Sequence, residues 1–262
     1  MSRPVMRTLV TVPFSHFCEK ARWALDFAGL PYVEDAHLPM LHWAATFRAG
    51  GGRTVPVLVA DEGTLCDSTD ILRYADRHAA ATNKLLPEDP RQRAACDALE
   101  DELDESFAPA ARRVGYYYCL SDDALILEMV ERAAVPGWQR VTLRRALPLA
   151  RFAMLRTMAI DERTVAESLD VVRRRFDDVT ARLRDGRRYL LGDRFTAADL
   201  TFAAFAGPMV APKEHPFQFP AELFPPRLQD ILREMSAHPT GAFILRLYAE
   251  HRHPETRSIH AS

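Results

Sequence analysis

The sequence predicts an α+β domain followed by an all-helical domain. Two features indicate this order: short apolar runs alternate with helical patterns over residues 1–82, whereas only helical patterns occur over residues 91–262. Residues 83–90 contain Pro87 and Pro90 and are predicted to form a linker, because proline disfavours helix in the residue before it. The predicted order of the first domain is β-α-β-α-β-β-α.

The first strand and the first helix follow from residue pattern. Residues 7–12 are rich in β-branched side chains and are followed by Pro13, which predicts a strand that ends there. Residues 15–28 carry apolar side chains at a helical spacing, and Gly29 is typical of the position just after a helix.

The rest of the first domain is predicted from apolar runs separated by turn residues. The tripeptide Asp61-Glu62-Gly63 is a turn that joins two strands into a hairpin. The predicted elements are a strand that begins within residues 30–33, a short helix at 41–47, the hairpin strands at 55–60 and 64–66, and a helix at 68–78.

The second domain is predicted to contain helices and one long ordered loop. Residues 207–226 hold six prolines and three phenylalanines, and we expect an ordered loop because the aromatic side chains need burial. The predicted helices span residues 91–118, 122–134, 138–158, 161–185, 196–205, 226–236 and 241–251.

Composition excludes several classes of function. The formal net charge of −2 gives no electrostatic reason to expect nucleic acid or an anionic membrane as a partner. No apolar run approaches the ~20 residues that cross a bilayer. The cysteines form no C-x-x-C pair and no zinc spacing, so we expect a reduced, cytoplasmic protein without a metal site; they are Cys18, Cys66, Cys96 and Cys119.

Four short segments, taken together, resemble one protein family. They are S-x-x-C-x-K-x-R-W at 15–23, T-V-P-V-L at 54–58, D-S-T-D-I at 67–71 and F-T-A-A-D-L at 195–200. The chain resembles the cytosolic glutathione transferase superfamily over nearly its whole length, with no subgroup identifiable. This resemblance implies a thioredoxin-like first domain, a helical second domain, glutathione as co-substrate and a homodimer. The chain is longer than usual for the family, with the surplus at 119–160 and 207–226.

The resemblance places Ser15 where the family has its activating residue. The thiolate of glutathione is the nucleophile, and a hydroxyl at a helix N-terminus stabilises it by a hydrogen bond and by the helix dipole. Ser15 is also a suitable N-cap, and both roles are compatible. Cys18 is the alternative: either a packed thiol, or a thiol that forms a mixed disulfide with glutathione in a reductase or redox sensor.

The resemblance also assigns residues that hold glutathione. Pro56 is expected to follow a cis peptide bond, which directs the backbone groups of Val55 to the cysteinyl part of glutathione. Ser68 is expected to cap the third helix and, with Asp67, to bind the γ-glutamyl end. Arg53 is a candidate for the glycyl carboxylate.

The second substrate is expected to bind between the two domains. The aromatic candidates for lining that pocket imply a hydrophobic electrophile; they are Phe14, Phe107, Tyr116, Tyr117, Tyr118, Phe217 and Phe219. Glutathione-dependent reduction or lyase activity is a second hypothesis. A non-catalytic binding protein is a third, favoured by the extra helical length and by Asp70, whose negative charge lies close to an anionic ligand.

Separate from this chemistry, Thr196 and Asp199 have the spacing of a capping box at a helix start.

Overall fold

The computed structural model describes residues 6–253, so residues 1–5 and 254–262 of the two predicted domains lie outside the described part of the chain. The predicted fold class is confirmed: a four-stranded mixed sheet with helices precedes a helical domain. The first domain contains β1 (Arg7–Thr11), α1 (His16–Phe27), β2 (Tyr32–Ala36), α2 (Trp43–Arg48), β3 (Val57–Ala60), β4 (Gly63–Leu65) and α3 (Ser68–His78).

The strand register brings three chain segments to one edge of the sheet. The strand order is β2-β1-β3-β4, with β1 parallel to β2 and antiparallel to β3. Val10 near the end of β1 pairs with Val57 at the start of β3, and Leu58 pairs with Leu65 at the end of β4. The loop after β1, the loop before β3 and the loop after β4 therefore share this edge.

The second domain consists of helices. Its first predicted helix is divided by a π-helical turn, Leu103–Phe107, which precedes Pro109. Proline has no N–H to donate, so the α-helical hydrogen-bond ladder is interrupted at this point. The helices are α4 (Pro90–Glu102), α5 (Ala108–Cys119), α6 (Asp123–Arg132), α7 (Gly137–Thr157), α8 (Glu162–Leu183), α9 (Ala197–Val210), α10 (Pro226–Ala237) and α11 (Pro239–His251).

Helix α9 lies in the centre of the second domain. The predicted capping box is present: Asp199 accepts hydrogen bonds from the N–H and the hydroxyl of Thr196, at 2.9 and 2.8 Å. The second carboxylate oxygen of Asp199 accepts from the N–H of Leu190 at 2.7 Å, so this buried group also fixes the preceding loop. The helix extends beyond the predicted end at 205 and includes Pro208.

Buried ion pairs join the two domains through α1. The Lys20 ammonium group contacts Glu100 at 2.8 Å and Asp104 at 2.7 Å, and it donates to the hydroxyl of Thr69 at 2.8 Å. Because Thr69 lies on α3 and Glu100 on α4, this cluster connects three helices. Lys20 therefore has a structural role between the domains.

Arg252, directly after α11, contacts α1 of the first domain. Arg252 is buried and binds two carboxylates of that helix, Glu19 at 2.7 Å and Asp26 at 2.6 Å. The indole N–H of Trp23 donates to the carbonyl of His251 at 3.0 Å. His251 and Arg252 thus hold the C-terminal end of α11 against the first domain.

The surplus residues at 119–160 form a helical hairpin, α6 and α7, with its own hydrophobic cluster. That cluster includes Ala36 and Leu38 of the first domain. Gln139 on α7 is buried and accepts the backbone N–H of Leu38 at 2.8 Å. The hairpin therefore packs on the loop after β2.

The proline- and phenylalanine-rich segment was predicted as one loop over residues 207–226, and the loop is shorter in the structure. Its first residues, through Val210, continue α9, and residues 211–225 form a loop that includes a short 3₁₀ turn, Ala221–Leu223. Phe217 of this loop contacts Phe14 edge to face, with ring centroids 5.6 Å apart. The loop thus covers the region beside the start of α1.

Candidate functional site

Ser15 is the N-cap of α1. Its hydroxyl oxygen accepts the backbone N–H of Cys18 at 3.4 Å, and its carbonyl accepts the N–H of Glu19 at 2.9 Å. Ser15 is half-buried. Since its oxygen accepts in the cap, the hydroxyl hydrogen stays available to donate to a ligand sulfur.

Cys18 lies beneath the cap with no exposed surface. Its sulfur accepts the backbone N–H of Val12 at 3.4 Å. Burial raises the pKa of the Cys18 thiol, an effect that Arg22 only partly offsets. The buried, protonated thiol fits the packing role rather than that of a reactive thiolate.

His16 directly follows Ser15 and is uncharged at neutral pH. Burial, followed by the positive charge of Arg112, lowers the pKa of His16 to about 3. Its ring packs against Phe17 and Phe205, with centroids 4.6 and 5.1 Å away. His16 therefore supplies no positive charge to a thiolate beside Ser15.

The peptide bond between Val55 and Pro56 is cis, as the sequence resemblance implied. Pro56 is buried, and Val55 is half-buried at the sheet edge shared with the loop that contains Ser15. Arg53 is exposed, and its guanidinium group lies 5.4 Å from the ring centroid of Trp43. Its side chain thus stacks on α2.

The start of α3 corrects one prediction. The N-cap is Asp67, whose carboxylate accepts the N–H of Thr69 at 2.8 Å, whereas Ser68 is the first helical residue and is buried. Both residue types are good caps, and the carboxylate is the one that reaches a free N–H here. Asp67 and Asp70 are exposed, so the N-terminus of α3 presents negative charge to solvent.

A large apolar cavity of about 180 Å³ lies next to the start of α1. Phe14 and His16, the neighbours of Ser15, line it, whereas Ser15, Val55, Pro56, Ser68, Asp67 and Arg53 do not. The first domain also contributes Pro39, and the other walls come from the second domain, chiefly from α5, α6, α7, α9 and the 211–225 loop. The cavity and the candidate glutathione residues are thus two adjacent regions that meet at Ser15.

Some predicted aromatic residues line this cavity and others do not. Phe14, Tyr116, Phe217 and Phe219 line it. Phe107, in contrast, is buried in the main core, where its ring lies 5.5 Å from that of Phe202.

Tyr117 and Tyr118 also lie outside the cavity, with their rings packed on each other at 5.1 Å. Successive residues of a helix point about 100° apart, so adjacent tyrosines on α5 cannot all face one cavity.

Sequence reasoning missed the aliphatic wall of the cavity and its arginine. The wall residues lie on the buried faces of α6 and α7, and their helical spacing alone does not distinguish core from cavity. Arg112 lies four residues before Tyr116 on α5, and residues four apart share one face of a helix. The prediction that Tyr116 lines the pocket could therefore have identified Arg112 as well. The missed lining residues include Ile126, Met129, Leu143, Leu147, Met154 and Arg112.

Residues 6–253 show neither a metal site nor a membrane-spanning helix. These residues contain no group of three or more His, Cys, Asp or Glu side chains arranged to hold a metal ion. Over the same residues, no helix is long and apolar enough to span a membrane.

Two protein-family models match the chain. The glutathione S-transferase N-terminal domain matches residues 9–83, and the glutathione S-transferase C-terminal domain matches residues 162–234. Together they span more than half of the chain. It belongs to the cytosolic glutathione transferase superfamily. The segment between the two matches contains α4 to α7 of this transferase-family chain, including the α6–α7 hairpin.

Solved glutathione transferases share this fold. The theta-class enzyme of the citrus canker pathogen Xanthomonas axonopodis pv. citri, in its apo form, is 20% identical with a TM-score of 0.52, and the match covers 93% of this chain and 96% of that one. Its glutathione-bound form is 19% identical with a TM-score of 0.51, covering 93% and 98%. Glutathione transferase F2 from Populus trichocarpa is 16% identical with a TM-score of 0.56, covering 93% and 99%. No curated protein matches the chain.

Proposed function

We propose that the protein activates the thiol of glutathione and transfers glutathione to a hydrophobic electrophile, with Ser15 as the activating residue. The observation that carries this proposal is the Ser15 hydroxyl at the N-terminus of α1, half-buried beside a large apolar cavity. Its oxygen accepts in the cap, so its hydrogen can donate to the sulfur of glutathione.

In this proposal, glutathione binds along the shared sheet edge. Val55, before the cis bond to Pro56, pairs its backbone groups with the cysteinyl part. The start of α3, with Asp67 and Ser68, binds the γ-glutamyl end through backbone N–H groups and the Asp67 carboxylate. Arg53 is proposed for the glycyl carboxylate, for which its side chain has to leave the Trp43 ring.

The proposed reaction is a nucleophilic attack by sulfur. The thiol releases its proton to solvent, and the thiolate that forms is stabilised by the Ser15 hydroxyl and the α1 dipole. The sulfur then bonds to an electrophilic carbon of the second substrate, and the displaced group leaves with its bonding electron pair. The apolar cavity supports a hydrophobic second substrate, because its walls offer few polar groups.

The reductase or lyase hypothesis has less support. A reductase that uses Cys18 needs an accessible thiolate, whereas Cys18 has no exposed surface and its pKa is raised by burial. The hypothesis of a non-catalytic binding protein draws on Asp70, which is exposed in the first turn of α3 and adds negative charge there. Binding of glutathione tests that hypothesis directly.

We also propose that the protein is a cytoplasmic homodimer, as membership of this superfamily implies. Cytoplasmic location agrees with the four free cysteines, since reducing compartments keep thiols unpaired. Sedimentation of the purified protein tests the dimer: we expect twice the chain mass of 29.6 kDa, and a species of one chain mass contradicts it.

The experiment that tests the function is conjugation of glutathione to an activated aryl chloride such as 1-chloro-2,4-dinitrobenzene. We expect the wild type to form the conjugate, Ser15→Ala to lose about 10- to 100-fold in kcat, the range for one hydrogen bond to a charged group, and Cys18→Ala to retain activity. Glutathione binding by calorimetry without any conjugation would support the binding protein instead. Reduction of a glutathione mixed disulfide that Cys18→Ala abolishes would support the reductase.

A further inference from the structure

The cavity contains one polar feature that the proposed reaction does not use, the pair Arg112 and Tyr116 on α5. These residues are four positions apart, so their side chains leave the same face of the helix, and both line the cavity. Within residues 6–253, neither side chain forms a hydrogen bond or an ion pair, and the Nε of Arg112 is buried without a partner. A buried N–H without an acceptor is unfavourable, so this half-buried pair is suited to a ligand group that can accept from it.

The surroundings of Arg112 contain no competing anion. None of the residues that line the cavity is an aspartate or a glutamate. Arg151, the other arginine of the lining, is paired with Asp123 at 2.9 Å. Among the lining residues that the structure describes, Arg112 is therefore the arginine left without a carboxylate.

The two histidines of the cavity do not take over this role. His16 and His215 both line the cavity, and burial lowers the pKa of each below its ordinary value. Both rings are therefore neutral at physiological pH. The positive charge available to a ligand in the cavity is therefore that of Arg112. Tyr116 adds an uncharged O–H donor beside it.

We propose that Arg112 and Tyr116 bind the anionic group of a ligand whose apolar body fills the cavity. The ligand class is a hydrophobic acid with a single negative charge, most simply a carboxylic acid. One unpaired guanidinium group matches one such anion, because the other lining arginine, Arg151, is already paired with Asp123. This inference rests on the proposed function for its biological meaning: the second substrate is then an electrophile that carries a carboxylate away from its reacting carbon.

A matched pair of ligands tests the anion site without glutathione. The probes are 2-naphthylacetate and 2-naphthylacetamide, which have the same shape and differ in charge, and binding is measured by calorimetry. We expect the wild type to prefer the acid. Arg112→Met should weaken binding of the acid by about 10- to 100-fold, the range for a hydrogen bond to a charged group, and leave binding of the amide unchanged.

Neighbouring residues on α5 provide the controls. Arg113→Met removes the same charge one position away, where the side chain donates to the carbonyl of Met158 at 3.4 Å, and should not change either affinity. Tyr116→Phe should weaken binding of the acid alone, whereas Tyr117→Phe should not. Because Arg112 has no partner to lose, Arg112→Met should fold at least as stably as the wild type.

Several results overturn the proposal. These are absence of binding by both probes, equal affinity of the wild type for acid and amide, and an equal loss of both affinities in Arg112→Met. A loss in Arg113→Met as large as that in Arg112→Met has the same meaning. Glutathione is titrated separately into the same proteins. Preference for the acid without glutathione binding would support the anion site and contradict the transferase function. Glutathione binding without preference for the acid would contradict the anion site alone.

Discussion

The hydroxyl of Ser15 accepts the backbone N–H of Cys18 at 3.4 Å, so the two residues that compete for the chemical role are directly connected. In this arrangement the serine is half-buried at the N-terminus of α1, and the cysteine is fully buried with its sulfur against the N–H of Val12. The cap therefore fixes the position of the Ser15 hydroxyl oxygen, while the Cys18 thiol has no surface exposed to solvent.

Cys18 is expected to be unreactive in the folded protein. The test is alkylation with iodoacetamide followed by mass spectrometry, in which exposed Cys66 serves as the internal reference. Cys66 should be labelled, whereas Cys18 and the other buried cysteine, Cys96, should be labelled only after denaturation. Labelling of Cys18 at the rate of Cys66 would show that the thiol is accessible and would reopen the reductase hypothesis.

His16 is expected to make stability depend on pH. Burial holds its pKa at about 3 in the folded protein, against 6.5 for an ordinary histidine. Between these two pH values, His16 is protonated in the unfolded chain and neutral in the folded protein. His16 therefore does not reduce the free energy of unfolding above pH 6.5. As the pH decreases from 6.5 toward 3, this residue lowers the free energy of unfolding by about 1.4 kcal/mol per pH unit.

Urea unfolding of the wild type and His16→Gln measures this contribution. The difference in free energy of unfolding between the two proteins should be constant above pH 7 and should shift in favour of the variant, by about 2–3 kcal/mol, between pH 6.5 and 4.5. Parallel curves over the whole range would contradict a buried, neutral His16.

Arg252 is expected to be a major contributor to stability although it lies beyond the last helix. Arg252→Met leaves the carboxylates of Glu19 and Asp26 buried without this cation, which should cost about 3–5 kcal/mol. Arg246→Met is the matched control, because the pair of Arg246 with Glu250 is one-third exposed and should cost under about 1 kcal/mol. Urea unfolding measures both losses. Equal losses in the two variants would mean that the buried pairs of Arg252 contribute no more to stability than the partly exposed pair of Arg246.

Gln139 is expected to hold the α6–α7 hairpin on the first domain. Gln139→Leu leaves the backbone N–H of Leu38 without its acceptor and should lower the free energy of unfolding by about 1–3 kcal/mol. Hydrogen exchange of the Leu38 amide provides the local measurement, since this amide should become less protected in the variant. Thr142→Val, at an exposed position of α7, should leave that protection unchanged.

Local sequence signals predicted most of the first domain and the start of α9 in the second. The turn at Asp61-Glu62-Gly63, the end of β1 before Pro13 and the capping box of Thr196 and Asp199 all depend on residues close in sequence, and all are found in the structure. The choice between Asp67 and Ser68 as cap was wrong because two adjacent good caps carry nearly the same local signal.

The cavity could be predicted only in part, because it depends on contacts between distant segments. Phe14 and Phe217 are about two hundred positions apart and meet across the domain boundary. Phe107, expected in the pocket, instead lies in the π-helical turn and packs on Phe202 in the core. The unpaired state of Arg112 depends on the absence of a nearby carboxylate, which only the folded arrangement reveals.

The role of Ser15 is tested most directly by the ultraviolet absorbance of the thiolate of bound glutathione, titrated with pH in the wild type and in Ser15→Ala. We expect the thiol bound to the wild type to ionise near or below neutral pH, and the midpoint in Ser15→Ala to be about one to two pH units higher. An identical midpoint in both proteins, or no bound thiolate at any pH at which the protein is folded, would contradict activation by Ser15 and leave this residue as a helix cap.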